Sequence, residues 1–181
     1  MLKTIASAIL ALAMVPVAYA AEDVVTAVHG TIKGMDSATR TIVVKTTDGA
    51  ECSLRFLDNT TVHGVKMSAE TGKDSWHGLT KGTEIVAHYT TRGSEVTALE
   101  IDRVGRDGLK ASEGTVKDFD RAGRKLVVKA SDGIEATFRL TDHAAKDSGK
   151  DLAQGTEKGA KVTVYYSEDA GRKVAHYFER G

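Results

Sequence analysis

The chain has 181 residues, with 25 basic and 25 acidic side chains, no formal net charge, 18 glycines, one cysteine and one proline. This charge balance argues against a polyanion-binding surface, so nucleic acid is not an expected partner. A single cysteine excludes an internal disulfide, which leaves core packing alone to hold the fold.

Residues 1–20 combine a positive charge at Lys3, an apolar run from Ile5 to Val17 and the small-x-small pattern Ala18-Tyr19-Ala20. That combination predicts a secretory signal peptide cut before Ala21, since the run is shorter than the roughly 20 residues a bilayer span needs. The expected location is periplasmic or secreted, with no stable membrane insertion after cleavage. Cys52 lies far from the cut, so no lipid attachment is expected there.

The stretch GTIKGMDSATRTIVVKTTDGAE from Gly30 returns as GTVKDFDRAGRKLVVKASDGIE from Gly114, and 14 of 30 positions match from Gly30–Asn59 to Gly114–His143. The echo resumes with LTKGTE from Leu79 and LAQGTE from Leu152, then IVAHYT from Ile85 and VTVYYS from Val162, then TALEIDR from Thr97 and VAHYFER from Val174. Self-similarity of this kind predicts two copies of one unit, at 24–105 and 109–181, joined near Gly105–Gly108.

Within each copy the elements read as about five short strands. Ile42 and Val44 mark the second strand, and Asp48-Gly49 is a hairpin signal into the third. There Cys52, Leu54 and Phe56 alternate with Glu51, Ser53 and Arg55, which gives one buried and one wet face. The second copy repeats this with Ala136, Phe138 and Leu140. The predicted fold is therefore all-β: two tandem five-stranded barrels of the OB or SH3-like kind after a cleaved signal peptide.

The layout G-T-[IV]-K-x-[MF]-D, strand, D-G-x-E, strand, L-x-x-G and two closing strands resembles a family of uncharacterised secreted bacterial small-β-barrel domains that often occur in tandem. It covers both halves of the mature chain. The opening of the first unit is also similar to the small periplasmic OB-fold copper chaperones of metal-efflux systems, whose Cu(I) ligands are a His on the second strand and two Met on the third, with a nearby Trp. The corresponding positions here hold Val44 or Lys45, Cys52 and Leu54. The resemblance thus implies the barrel without that ligand set.

Catalytic signals are absent from the sequence. There is no G-x-S-x-G and no phosphate loop, so no catalytic or cofactor-binding residue is assigned and the chain is read as a non-enzyme. An envelope hydrolase has almost no sequence support. Asp36 and Asp120 sit at hairpins where an Asp side chain holds a turn, and Cys52 lies in phase with core residues.

The segment Thr61–Leu79 is longer than its counterpart and gathers His63, Met67, Trp76 and His77. Its donors could bind Cu or Zn with Trp76 adjacent, or the segment could cap a barrel end with Met67 and Trp76 as an apolar plug. His29, His88, His143 and His176 are scattered over different elements and read as ordinary surface or strand-edge residues, with a cluster formed in space as the alternative. Tyr165, Tyr166, Tyr177 and Phe178 read as cross-strand packing, with a lined groove as the alternative. The expected function is an exported binding or scaffold module without a cofactor, engaging an envelope protein or small ligand between its barrels or at this loop. The alternative is a periplasmic copper-type metal-binding protein using His63, Met67 and His77.

Overall fold

The computed structural model describes residues 24–64, 79–147 and 157–181. The predicted signal segment lies outside the described residues, as do Met67, Trp76 and His77.

The chain is almost entirely β-structure. β1 (Val25–Asp36), β2 (Thr41–Thr46), β3 (Glu51–Arg55), β4 (Thr61–His63), β5 (Glu84–Arg92) and β6 (Glu95–Arg103) form one sheet in the order β3-β2-β1-β5-β6-β4. A parallel pairing of Arg55 with Thr97 joins β3 to β6 and brings that sheet round on itself. β7 (Lys110–Asp120), β8 (Lys125–Lys129), β9 (Glu135–Leu140), β10 (Lys161–Asp169) and β11 (Arg172–Arg180) form a closed barrel in the order β10-β11-β9-β8-β7. Closure leaves no unpaired edge to recruit another strand.

The two sheets differ from the five-strand expectation in two ways. The first has a sixth strand, β4, and the second places a short helix, α1 (Asp142–Lys146), after β9. Thr141 caps α1 by accepting a hydrogen bond from the Ala144 amide at 3.1 Å, and Ala144 enters the second core. Both additions carry histidines that matter below.

Alternation sorts the side chains. Ile42, Val44, Leu54 and Phe56 point into the first core with Ile32 and Ile101, and Leu126, Val128, Phe138 and Leu140 fill the second with Val116 and Phe178. Asp36 accepts hydrogen bonds from the amides of Ala38 and Thr39, and Asp120 from that of Gly123, so both carboxylates are spent on turns. Gly30 and Gly114 sit where one strand crosses closely over the next. A Cβ on Gly30 would lie 2.3 Å from the Lys45 carbonyl oxygen, and one on Gly114 would lie 2.6 Å from that of Lys129.

A third apolar cluster lies between the barrels. Val86 of β5 meets Tyr165 and Tyr177 of the second barrel, with Leu109 from the joint packed among them. Tyr165 and Tyr177 stack at 6.0 Å across β10 and β11, while Tyr166 packs edge-on against Phe138 at 5.2 Å. These aromatics are cross-strand and inter-barrel packing. The joint is short: Val104 bridges to Leu109, and the Leu109 amide donates to the Arg103 carbonyl at 2.6 Å.

Candidate metal centre between the barrels

Glu100 and Asp102 flank Ile101 on β6. When Ile101 turns into the first core, both carboxylates must leave by the opposite face. That face is covered by the second barrel, so Glu100 is only 7% exposed and Asp102 only 1%. Buried carboxylates require partners; three imidazoles supply them, and a fourth, His88, stands beside Glu100 without a hydrogen bond.

Each histidine reaches the pair by a different route. His88 on β5 lies directly across the ladder from Glu100. His63 on β4 lies opposite Asp102 in the parallel β4–β6 pair, with Nδ1 2.9 Å from Asp102 Oδ1 and 3.1 Å from Glu100 Oε1. His176 is the unpaired residue of a β-bulge in β11, where Tyr165 pairs with Tyr177 and Tyr166 with Ala175. A bulge re-aims one side chain, and here it sends His176 Nδ1 to within 3.2 Å of Asp102 Oδ2 and 3.8 Å of Glu100 Oε1. Its other ring nitrogen, Nε2, is 3.0 Å from Ser167 Oγ. His143, in the first turn of α1, brings Nδ1 to 2.5 Å from Glu100 Oε2.

Two donor groups result, sharing Glu100. One is His63, Glu100, Asp102 and His176; the other is His88, Glu100 and His143. Among the described residues the convergent donors are nitrogen and oxygen, with no sulfur. An open groove of about 720 Å³ reaches the first group, lined by His63, Asp102, Asp107, Asp169 and His176.

The electrostatics are strongly coupled. Burial works against the charge on Glu100, but the hydrogen bond from His143 and the neighbouring imidazoles outweigh it and push its pKa down to about 2. The Glu100 hydrogen bond raises the pKa of His143. His176 is raised as well, because Asp102 and Glu100 overcome the penalty of burial. His88 behaves oppositely: complete burial dominates and lowers its pKa to about 4. Its two ring nitrogens are buried without a hydrogen-bond partner, and its Nδ1 stands 4.0 Å from Glu100 Oε2.

A second polar junction lies beside this one. His29 of β1 places Nε2 2.8 Å from Glu84 and Nδ1 3.2 Å from Glu179 of the other barrel. The Tyr165 hydroxyl donates to Glu179 at 2.8 Å.

Of the residues proposed from sequence as ligands, His63 enters the cluster, while Met67, Trp76 and His77 lie outside the described residues. The reading of His29, His88, His143 and His176 as surface or strand-edge residues is corrected: all four are drawn into the inter-barrel junctions, because β1, β5, β6, β11 and α1 converge there. A sequence signal existed. Glu100, Asp102 and His88 stand where the second copy has Tyr177, Glu179 and Tyr165, and His176 stands where the first has Leu99. Three of these four positions change chemistry between the two halves, while Asp102 and Glu179 are both carboxylates.

No family model matches the chain, and no curated protein matches it. Among solved structures it is similar to Ag(I)-loaded CusF, at 11% identity over 44% of this chain and 97% of that one, with a TM-score of 0.33. It is similar to apo-CusF residues 6–88 from Escherichia coli, at 13% identity over 50% of this chain and 100% of that one, with a TM-score of 0.34. It is also similar to Drosophila Unr CSD456, at 14% identity over 88% of this chain and 62% of that one, with a TM-score of 0.35. At these values the likeness says nothing of what this chain binds.

Proposed function

We propose that this protein is a non-enzymatic, exported binding module that holds a divalent ion of the zinc class between its two barrels, through His63, Glu100, Asp102 and His176. The observation that carries the reading is the spacing of that quartet. Its nitrogen-to-oxygen distances are 3.1 and 3.8 Å to one oxygen of Glu100, and 2.9 and 3.2 Å to the two different oxygens of Asp102, so each lies near the roughly 3.4 Å that separates two ligands of a tetrahedral ion with bonds of about 2.1 Å. Two carboxylates also match the charge of one divalent ion.

Imidazole and carboxylate donors suit Zn(II), Ni(II) or Cu(II), whereas Cu(I) prefers thioether or thiolate sulfur. The copper-type alternative is accordingly read as a borderline-metal site built between barrels. Export rests on the sequence of residues 1–20, and no helix among the described residues is long and apolar enough to cross a membrane.

The test is calorimetric titration of the purified, chelator-treated protein with Zn(II), Ni(II), Cu(II) and Cu(I), repeated with Asp102→Asn. Zn(II) saturation with an affinity at least tenfold weaker in the variant is expected. No heat with any of the divalent ions would overturn the reading.

A further inference from the structure

The quartet uses one oxygen of Glu100 and leaves the other facing a different pair of histidines. Oε1 lies 3.1 Å from His63 and 3.8 Å from His176, while Oε2 lies 2.5 Å from His143 and 4.0 Å from His88. A carboxylate whose two oxygens each meet their own imidazole pair is arranged to bridge two ions, in the manner of sites whose metals stand about 3.5–4 Å apart.

His88 is the independent sign. An imidazole at 0% exposure ordinarily satisfies at least one ring nitrogen, and neither nitrogen of His88 has a partner. Leaving both unmet carries a desolvation cost that apolar packing at this position would avoid. Its Nδ1 is too far from Glu100 for a hydrogen bond, yet at a separation suited to two ligands of one ion. The neighbouring His143 ring, 5.5 Å away by centroids, completes the set.

We infer that a second divalent ion binds in the His88–Glu100–His143 triad, bridged to the first through Glu100. This inference rests on the proposed quartet site. The triad supplies three protein ligands, so this ion keeps an open coordination position, unlike the four-ligand quartet. Charge sets the order of filling. The first ion is neutralised by Glu100 and Asp102, and the second adds positive charge close to it, so the triad fills second and more weakly.

The experiment is native mass spectrometry of the whole protein at graded Zn(II), with His143→Ala alongside. His143 is partly exposed on a short helix, so its removal leaves both cores intact. Two ions in the wild type, filling in two steps, and one in His143→Ala are expected. With Cu(II), the single-ion electron paramagnetic resonance signal should weaken by more than half as the second equivalent couples to the first. One ion in both wild type and His143→Ala would overturn the bridge and leave the quartet standing. Two ions retained in His143→Ala would also overturn it, and no ion in the wild type would remove both proposals.

Discussion

Glu100 and His143 are 43 positions apart and belong to different barrels, yet Glu100 Oε2 and His143 Nδ1 meet at 2.5 Å. Because Glu100 is nearly buried, this contact is a clamp between the barrels as well as half of a candidate ligand set.

Removing that carboxylate should loosen the clamp. Glu100→Ala leaves His143 and His176 with less negative charge around them, and breaking a buried pair from one side costs about 3 kcal/mol. Urea unfolding of the chelator-treated protein near pH 6.5 measures this. A variant as stable as the wild type would mean the cluster contributes nothing to docking.

Stability of the metal-free protein should peak near pH 6.5. His88, held down to about 4, refuses a proton that the unfolded chain accepts, so stability falls as pH drops from about 6.5 toward 4, by an amount on the order of 3 kcal/mol. His29, His143 and His176 have raised values, so their contribution is full below about 6.5 and is lost as pH rises through their folded values. The Glu100 contribution is present above its ordinary value near 4.5 and disappears only as pH falls toward 2. Denaturation at pH 4.5, 6.5 and 8.5 should give its maximum at the middle value; a steady rise to pH 8.5 contradicts the assignment.

His88→Leu should stabilise the metal-free protein. The substitution removes two unmet buried polar atoms and puts an apolar side chain of similar size in their place, a gain of about 1–2 kcal/mol. The same variant should lose the stability decline between pH 6.5 and 4. A lower melting temperature than wild type at pH 6.5 would show that the imidazole is satisfied.

Tyr165→Phe separates docking from ligation. It deletes the hydroxyl that donates to Glu179, at a cost of about 1 kcal/mol, without touching the histidine–carboxylate cluster. Thermal unfolding should register the loss while Zn(II) affinity stays within twofold. An equal fall in both would tie the His29 junction to ligand geometry.

The barrels were legible because their determinants are local. The alternation of Cys52, Leu54 and Phe56, the Asp-Gly turns and the echoed Gly30 and Gly114 all report on neighbours within a few residues or one strand away. The cluster was not, for a physical reason. On β5 and β6 both faces are covered, so Val86, His88, Glu100 and Asp102 break the apolar-polar rhythm that marks a wet face. Nor does periodicity foresee a bulge: His176 joins Asp102 because one residue of β11 drops out of register. His143 depends on a five-residue helix that strand spacing does not announce.

The short joint from Val104 to Leu109 has a further consequence. His63, His88, Glu100 and Asp102 come from one barrel and His143 and His176 from the other, so under the proposed reading an ion at this seam would act as a reversible crosslink. A tether this short gives the second barrel a high effective concentration at the first, which lowers the entropic cost of gathering ligands. Ion and interface are then thermodynamically reciprocal: whatever tightens one tightens the other by the same factor.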